Sequence, residues 1–202
     1  MANLLRSIFA MLLLLAAFAP VSSSSAQDAP PKPRPTKPKA KPKHPAAAVP
    51  TVGGVQPTLL GTYGEWGAYT ASPGGKKICF ALAKPDKSET VPPNRPRDPA
   101  YLFVSSRPAE KVKDEISIII GYGFKPNSDA TIELGGATYA MYTQGDGAWV
   151  KNAAEEPRLT EAMRKGSDLT IKGESSRGTA TTDVYSLKGL TQALDKVDEE
   201  CQ

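Results

Sequence analysis

The residues able to do chemistry are few and poorly spaced for it. The chain holds one histidine, His44, and two cysteines, Cys79 and Cys201. His44 lies in a proline- and lysine-rich stretch, so everything after it lacks an imidazole base. A serine or threonine nucleophile needs such a base, and no GxSxG elbow is present, which excludes the hydrolase triads. Two distant cysteines and no DxDxDG-like loop exclude zinc and EF-hand calcium sites. The run Pro73-Gly74-Gly75-Lys76-Lys77 lacks the spacing of a phosphate loop and reads as a hairpin turn. No cofactor is expected. Carboxylates remain, because an acid and a base across a cleft suffice to cleave a glycoside. Glu155, Glu156, Asp198, Glu199 and Glu200 stand in helical context and read as a solvated face. Arg95, Arg97 and Arg107 flank a proline-rich segment and are the candidate recognition residues, since arginine grips carboxylates and phosphates bidentately; the alternative is ordinary surface charge. Trp66, Trp149 and the tyrosines either form an aromatic binding face or fill the core.

These side chains must be carried by strands. From residue 64 onward, short apolar, β-branched and aromatic runs recur between turn signals, the pattern of a sandwich or barrel. Strands are expected at Glu65–Ala71, Lys77–Ala83, Ala100–Ser106, Glu115–Tyr122, Ala130–Leu134, Thr138–Thr143, Ala148–Lys151, Leu169–Ser175 and Thr179–Ser186. Ile116–Ile120 is apolar on nearly both faces and is the candidate central strand. Two segments carry helical spacing instead. After Pro157, Leu159, Ala162 and Met163 predict a short helix across a sheet edge, and Leu190, Leu194, Val197 and Cys201 predict a second. Residues 84–99 hold five prolines and are expected to form an irregular loop.

The first part of the chain reads as an address. Arg6 precedes an apolar run from Ile8 to Ala19, followed by Pro20, serines, and the small residues Ser24 and Ala26, the layout of a secretory signal cleaved between Ala26 and Gln27. Residues 27–57 follow with nine prolines and six Lys/Arg against Asp28. Proline removes backbone donors and like charges repel, so this segment is expected to be a disordered basic tether. It either touches anionic membrane or polymer, or only spaces the domain from a surface. The domain then occupies residues 58–202. Setting aside the seven basic and one acidic residues before position 58, it keeps 18 basic and 20 acidic residues, which gives no reason to expect a nucleic-acid surface despite a whole-chain charge of +4. Export would place both thiols where disulfides persist, and docking the second helix on the Cys79 face of its strand would join Cys79 to Cys201.

The segments "YGEWGAYTASPGGKKICFALAKP", "PPNRPRDPAYLFVSSRP", "IIGYGFKPNSDATIELGGATYAMYTQGDGAWVKNAAEEPRL" and "YSLKGLTQALDKVDEEC" together resemble the invasion-associated locus B family of bacterial envelope proteins, in order and over the whole domain. The resemblance implies an all-β, immunoglobulin-like β-sandwich, periplasmic or secreted from a Gram-negative bacterium, and brings no catalytic residues. Some members of that family carry a further cysteine where Tyr69 and Thr70 stand here, so one disulfide is expected. The function this suggests is a non-enzymatic envelope binding or structural module whose partner is an envelope component or host-surface protein. The rival is a carboxylate-only hydrolase of an envelope polysaccharide.

Overall fold

In a computed structural model, residues 49–202 are described. The expected signal segment, its expected cleavage point between Ala26 and Gln27, and the expected tether up to residue 48 lie outside them. The chain order is β1 (Thr58–Tyr63), β2 (Trp66–Ala71), β3 (Ile78–Ala83), β4 (Lys87–Val91), β5 (Tyr101–Arg107), β6 (Val112–Ile119), β7 (Asp129–Leu134), β8 (Ala137–Gln144), β9 (Gly147–Val150), α1 (Glu156–Lys165), β10 (Asp168–Glu174), β11 (Ala180–Ser186) and α2 (Leu190–Glu200). All eleven strands join one antiparallel sheet in the order β1-β2-β3-β5-β6-β9-β8-β7-β10-β11-β4. The fold is therefore all-β with two short helices, as the alternation of the sequence implies.

The sheet folds over so that its two halves share one core. Ala68, Ala81, Leu102, Val104, Ile116 and Ile118 of the first half and Ile132, Met141, Leu169, Ile171 and Tyr185 of the second belong to a single buried cluster. A clasp between strands far apart in the sheet holds the fold closed: Trp66 Nε1 of β2 donates to the Ser186 carbonyl of β11 at 2.9 Å. The apolar stripe of α2, Leu190, Leu194 and Val197, enters the same core over β1, β2 and β3, where Ala68 and Ala81 leave room for it. Its start is set by a close crossing. A Cβ on Gly189, at φ 95°, would lie 1.9 Å from the Tyr63 carbonyl oxygen, so only glycine fits there. At its other end Cys201 is bonded to Cys79, with Cα atoms 5.9 Å apart.

Four points of the sequence reading need correction. Residues 84–99 are not irregular throughout: Lys87–Val91 forms β4, which pairs residue for residue with Val184–Ala180 of β11. Thr58–Tyr63 is also a strand, although no alternation marks it. The first helix does not cross a sheet edge; α1 packs on β6, in the middle of the sheet, and on α2. The last nine residues of the expected tether, 49–57, lie on the folded domain. Val52 and Val55 bridge across Gly53-Gly54, a Cβ on Gly53 would meet Pro73 at 2.7 Å, and Pro57 is buried.

Candidate functional site

A β-strand whose two faces are both apolar must be covered twice. In β3, Cys79, Ala81 and Ala83 face the main core, and Ile78, Phe80 and Leu82 face outward. The outward residues form a second buried cluster with Tyr101 and Phe103 of β5, against which Val49, Val52, Tyr69 and Ile119 pack. Aromatic rings dominate it. Tyr69 stacks on Phe80 at 5.5 Å between centroids, and Phe103 leans on both Phe80 and Tyr101. The rings lie low because glycine stands two residues ahead on the same face. A Cβ at Gly67 would meet the Tyr69 ring at 2.5 Å, and one at Gly147 would meet the Trp149 ring at 2.6 Å. Trp149 is stacked in turn with the half-exposed Tyr142.

At one end of this outer cluster a groove of about 230 Å³ opens between Val49 and the ends of β2 and β3. Its floor is Gly67 and Leu82, Tyr69 forms a wall, and Glu65, Lys84 and Asp86 stand on its rim. Burial pushes the Tyr69 and Tyr101 hydroxyls above their usual range, so both remain neutral hydrogen-bonding groups. Lys84 Nζ lies 5.3 Å from the Tyr101 ring centroid, a cation–π distance. Among the described residues, Glu65 and Asp86 make no ion pair within the domain. A groove whose lining is as much polar as apolar, with Tyr69 and Leu82 beside Thr62, Glu65, Lys84 and Asp86, suits an elongated partner with mixed polar and apolar surface.

The three arginines separate. Arg97 is a structural residue: its guanidinium grips the fully buried Asp183 with both terminal nitrogens, donates to the Ile120 carbonyl at 3.1 Å, and donates to Ser88 Oγ at 2.9 Å. Burial pulls its pKa down, but the hydrogen bond to Asp183 and the attraction of that charge outweigh it, and the net shift is upward. Breaking such a pair from one side leaves the other charge buried and uncompensated, at about 3–5 kcal/mol. Removing Arg97 would therefore unsettle the fold, so it does not serve as a neutral probe of recognition. Arg107 is likewise engaged, bidentate to Glu115 at 2.8 Å and bonded to Glu110. Arg95 alone presents an exposed guanidinium; its backbone amide is what the fold uses, donating to Thr90 Oγ1. Of the helical carboxylates, Glu156 leaves the solvated face: its Oε1 accepts from the Ile116 amide, while Asp198, Glu199 and Glu200 pair with Lys113, Lys196 and Lys77.

Sequence reasoning missed the groove. Its residues fall at the ends of three segments, and the signals that could have marked it are the Gly67-x-Tyr69 pair and the outward apolar row of β3. No curated protein and no solved structure matches the chain. The model of the family described as invasion associated locus B protein matches residues 66–198, from the start of β2 to the last turn of α2. With the groove, the outer cluster and the disulfide-tied helix all inside or beside that span, the chain belongs to the invasion associated locus B family.

Proposed function

We propose that this protein is an exported, non-catalytic module of the bacterial envelope that binds a partner through the outer face of β2, β3 and β5. The observation that carries this reading is the groove at the end of an aromatic second cluster, with Glu65, Lys84 and Asp86 on its rim. A domain that only filled space would need one apolar face per strand, and here the outer row is apolar as well. Export is supported by the signal-like first 26 residues and by the Cys79–Cys201 bond, which persists in oxidising compartments. Among the described residues no helix is long and apolar enough to cross a membrane. The partner is an envelope component or a host-surface protein, and the basic residues between 27 and 48 add affinity for anionic membrane or polymer.

The test is cell fractionation with crosslinking of the native protein, comparing the parent with Lys84→Ala, Glu65→Ala. The parent should recover a reproducible partner from the periplasm or medium, and the variant should recover several-fold less while keeping its melting temperature. Equal recovery by both would remove the groove from consideration. One observation favours a second reading: two carboxylates line the same groove. A polysaccharide hydrolase would be revealed by shortening of envelope glycan that Glu65→Gln or Asp86→Asn abolishes.

A further inference from the structure

An eleven-stranded sheet that does not close has two edges, β1 and β4. An unpaired edge is a template for another strand unless something blunts it. The β1 edge is blunted by a register shift between Leu59 and Gly61, which kinks its backbone. The β4 edge is blunted less: it is short, carries one lysine, Lys87, and has prolines only outside it at Pro85, Pro92 and Pro93, but its five residues pair with β11 without a shift, four of the five are exposed, and Val91 is 69 % exposed. The face of the sheet that carries β4's outward side chains supplies a second observation. Elsewhere on that face three pairs of charges are matched, Lys172 with Glu133, Lys125 with Glu174, and Lys151 with Asp129, while Asp168 of β10 has no ion pair among the described residues. Lys87 and Glu89 of β4 lie opposite Val184 and Thr182 and have no charged partner among the described residues.

We propose that β4 is an interface with a second copy of this chain, added antiparallel across a two-fold axis through Ser88. Antiparallel self-pairing allows few registers that keep the outward faces aligned. Centring on Glu89 sets two glutamates opposite each other, which is repulsive. Centring on Thr90 brings Pro92 and Pro93 of each copy against Ser88 and Lys87 of the other, and proline cannot donate to the ladder. Centring on Ser88 sets Lys87 of each copy opposite Glu89 of the other, twice, and keeps Pro92 and Pro93 outside the ladder, with Pro85 meeting Val91 only at its two ends. Sequence and free edge thus select one register, and the pairing continues the sheet from one copy into the next. The contact is short, so the dimer is weak and sensitive to salt.

Sedimentation velocity of the intact protein over a concentration series tests this. A dimer should grow with concentration and recede as salt is raised. Glu89→Lys should weaken it about tenfold or more, and Glu89→Gln by a smaller factor. The exchange Lys87→Glu, Glu89→Lys should restore the parent's affinity, because it rebuilds both pairs in reverse. Circular dichroism of each variant confirms the fold. A monomer at every concentration, a dimer indifferent to Glu89→Lys, or a folded exchange variant that stays monomeric would each overturn the proposal.

Discussion

Asp114 shows how one side chain can be set against its surroundings. It lies in β6 at φ 57°, a left-handed conformation that Asp and Asn tolerate better than other side chains, and its amide donates to Ser106 Oγ. Its Oδ1 is buried without a hydrogen-bond partner. Burial pushes the carboxyl above its ordinary value of 3.8, Asp198 and Glu161 push the same way, and Lys113 and Arg164 pull it back. A raised pKa means that the folded chain holds the proton more tightly than the unfolded chain. Its favourable contribution is therefore full below about 3.8 and is lost as pH rises through the higher folded value. At neutral pH the burial penalty stands. Asp114→Asn keeps the left-handed backbone and removes the charge, so it should raise stability at neutral pH, with a gain that shrinks as pH falls toward 3.8. Urea unfolding of parent and variant at several pH values measures this. A variant no more stable than the parent at neutral pH, or a gain independent of pH, would contradict the assignment.

Among the elements, α2 depends most on a single bond. Its apolar stripe seats it over β1 to β3, and the Cys79–Cys201 bond and the Lys77–Glu200 pair tie down its last turn. Three acidic residues at that end, Asp198 to Glu200, oppose the helix dipole, so without these ties the turn should fray. Closing 122 residues into a loop restricts the unfolded chain by roughly 5 kcal/mol in the chain-entropy model. Cys201→Ser should thus lower unfolding free energy by about 2–5 kcal/mol, read by urea denaturation, with amide exchange rising first in residues 197–202. A loss below about 1 kcal/mol would mean that packing of Leu190, Leu194 and Val197 holds the helix alone. This helix was legible in the sequence because its stripe follows the helical period and faces one core. So was β3, where small and large residues alternate across the strand. β4 was not, since Lys87-Ser88-Glu89-Thr90-Val91 has no apolar face and sits among prolines; it is a strand because β11 offers it a ladder. Arg97 was legible as special, but its role was not. A guanidinium reads the same whether it meets a ligand or Asp183, which lies 86 residues away.

For the domain as a whole, the unusual feature is a sheet with apolar side chains on both faces of β3 and β5, only one of which the main core covers. Val49 and Val52, in a segment that composition assigns to the tether, pack on the other face. Gln56 Nε2 donates to the Val49 carbonyl, and the Gly53-Gly54 turn rests against Pro73, so this short strap is fixed at both its bend and its start. It directly follows the basic, proline-rich part of the sequence, and its Val49 lines the groove. Val49→Ser with Val52→Ser removes two half-buried apolar contacts and should cost about 1–3 kcal/mol of stability. The same change should raise binding of an apolar dye, because Phe80, Tyr101 and Phe103 lose part of their cover. If the strap is a wall of the binding site, capture of the crosslinked partner should fall as dye binding rises. Dye binding unchanged from the parent would show that the outer cluster does not depend on these two valines, and unchanged capture would separate the strap from the site.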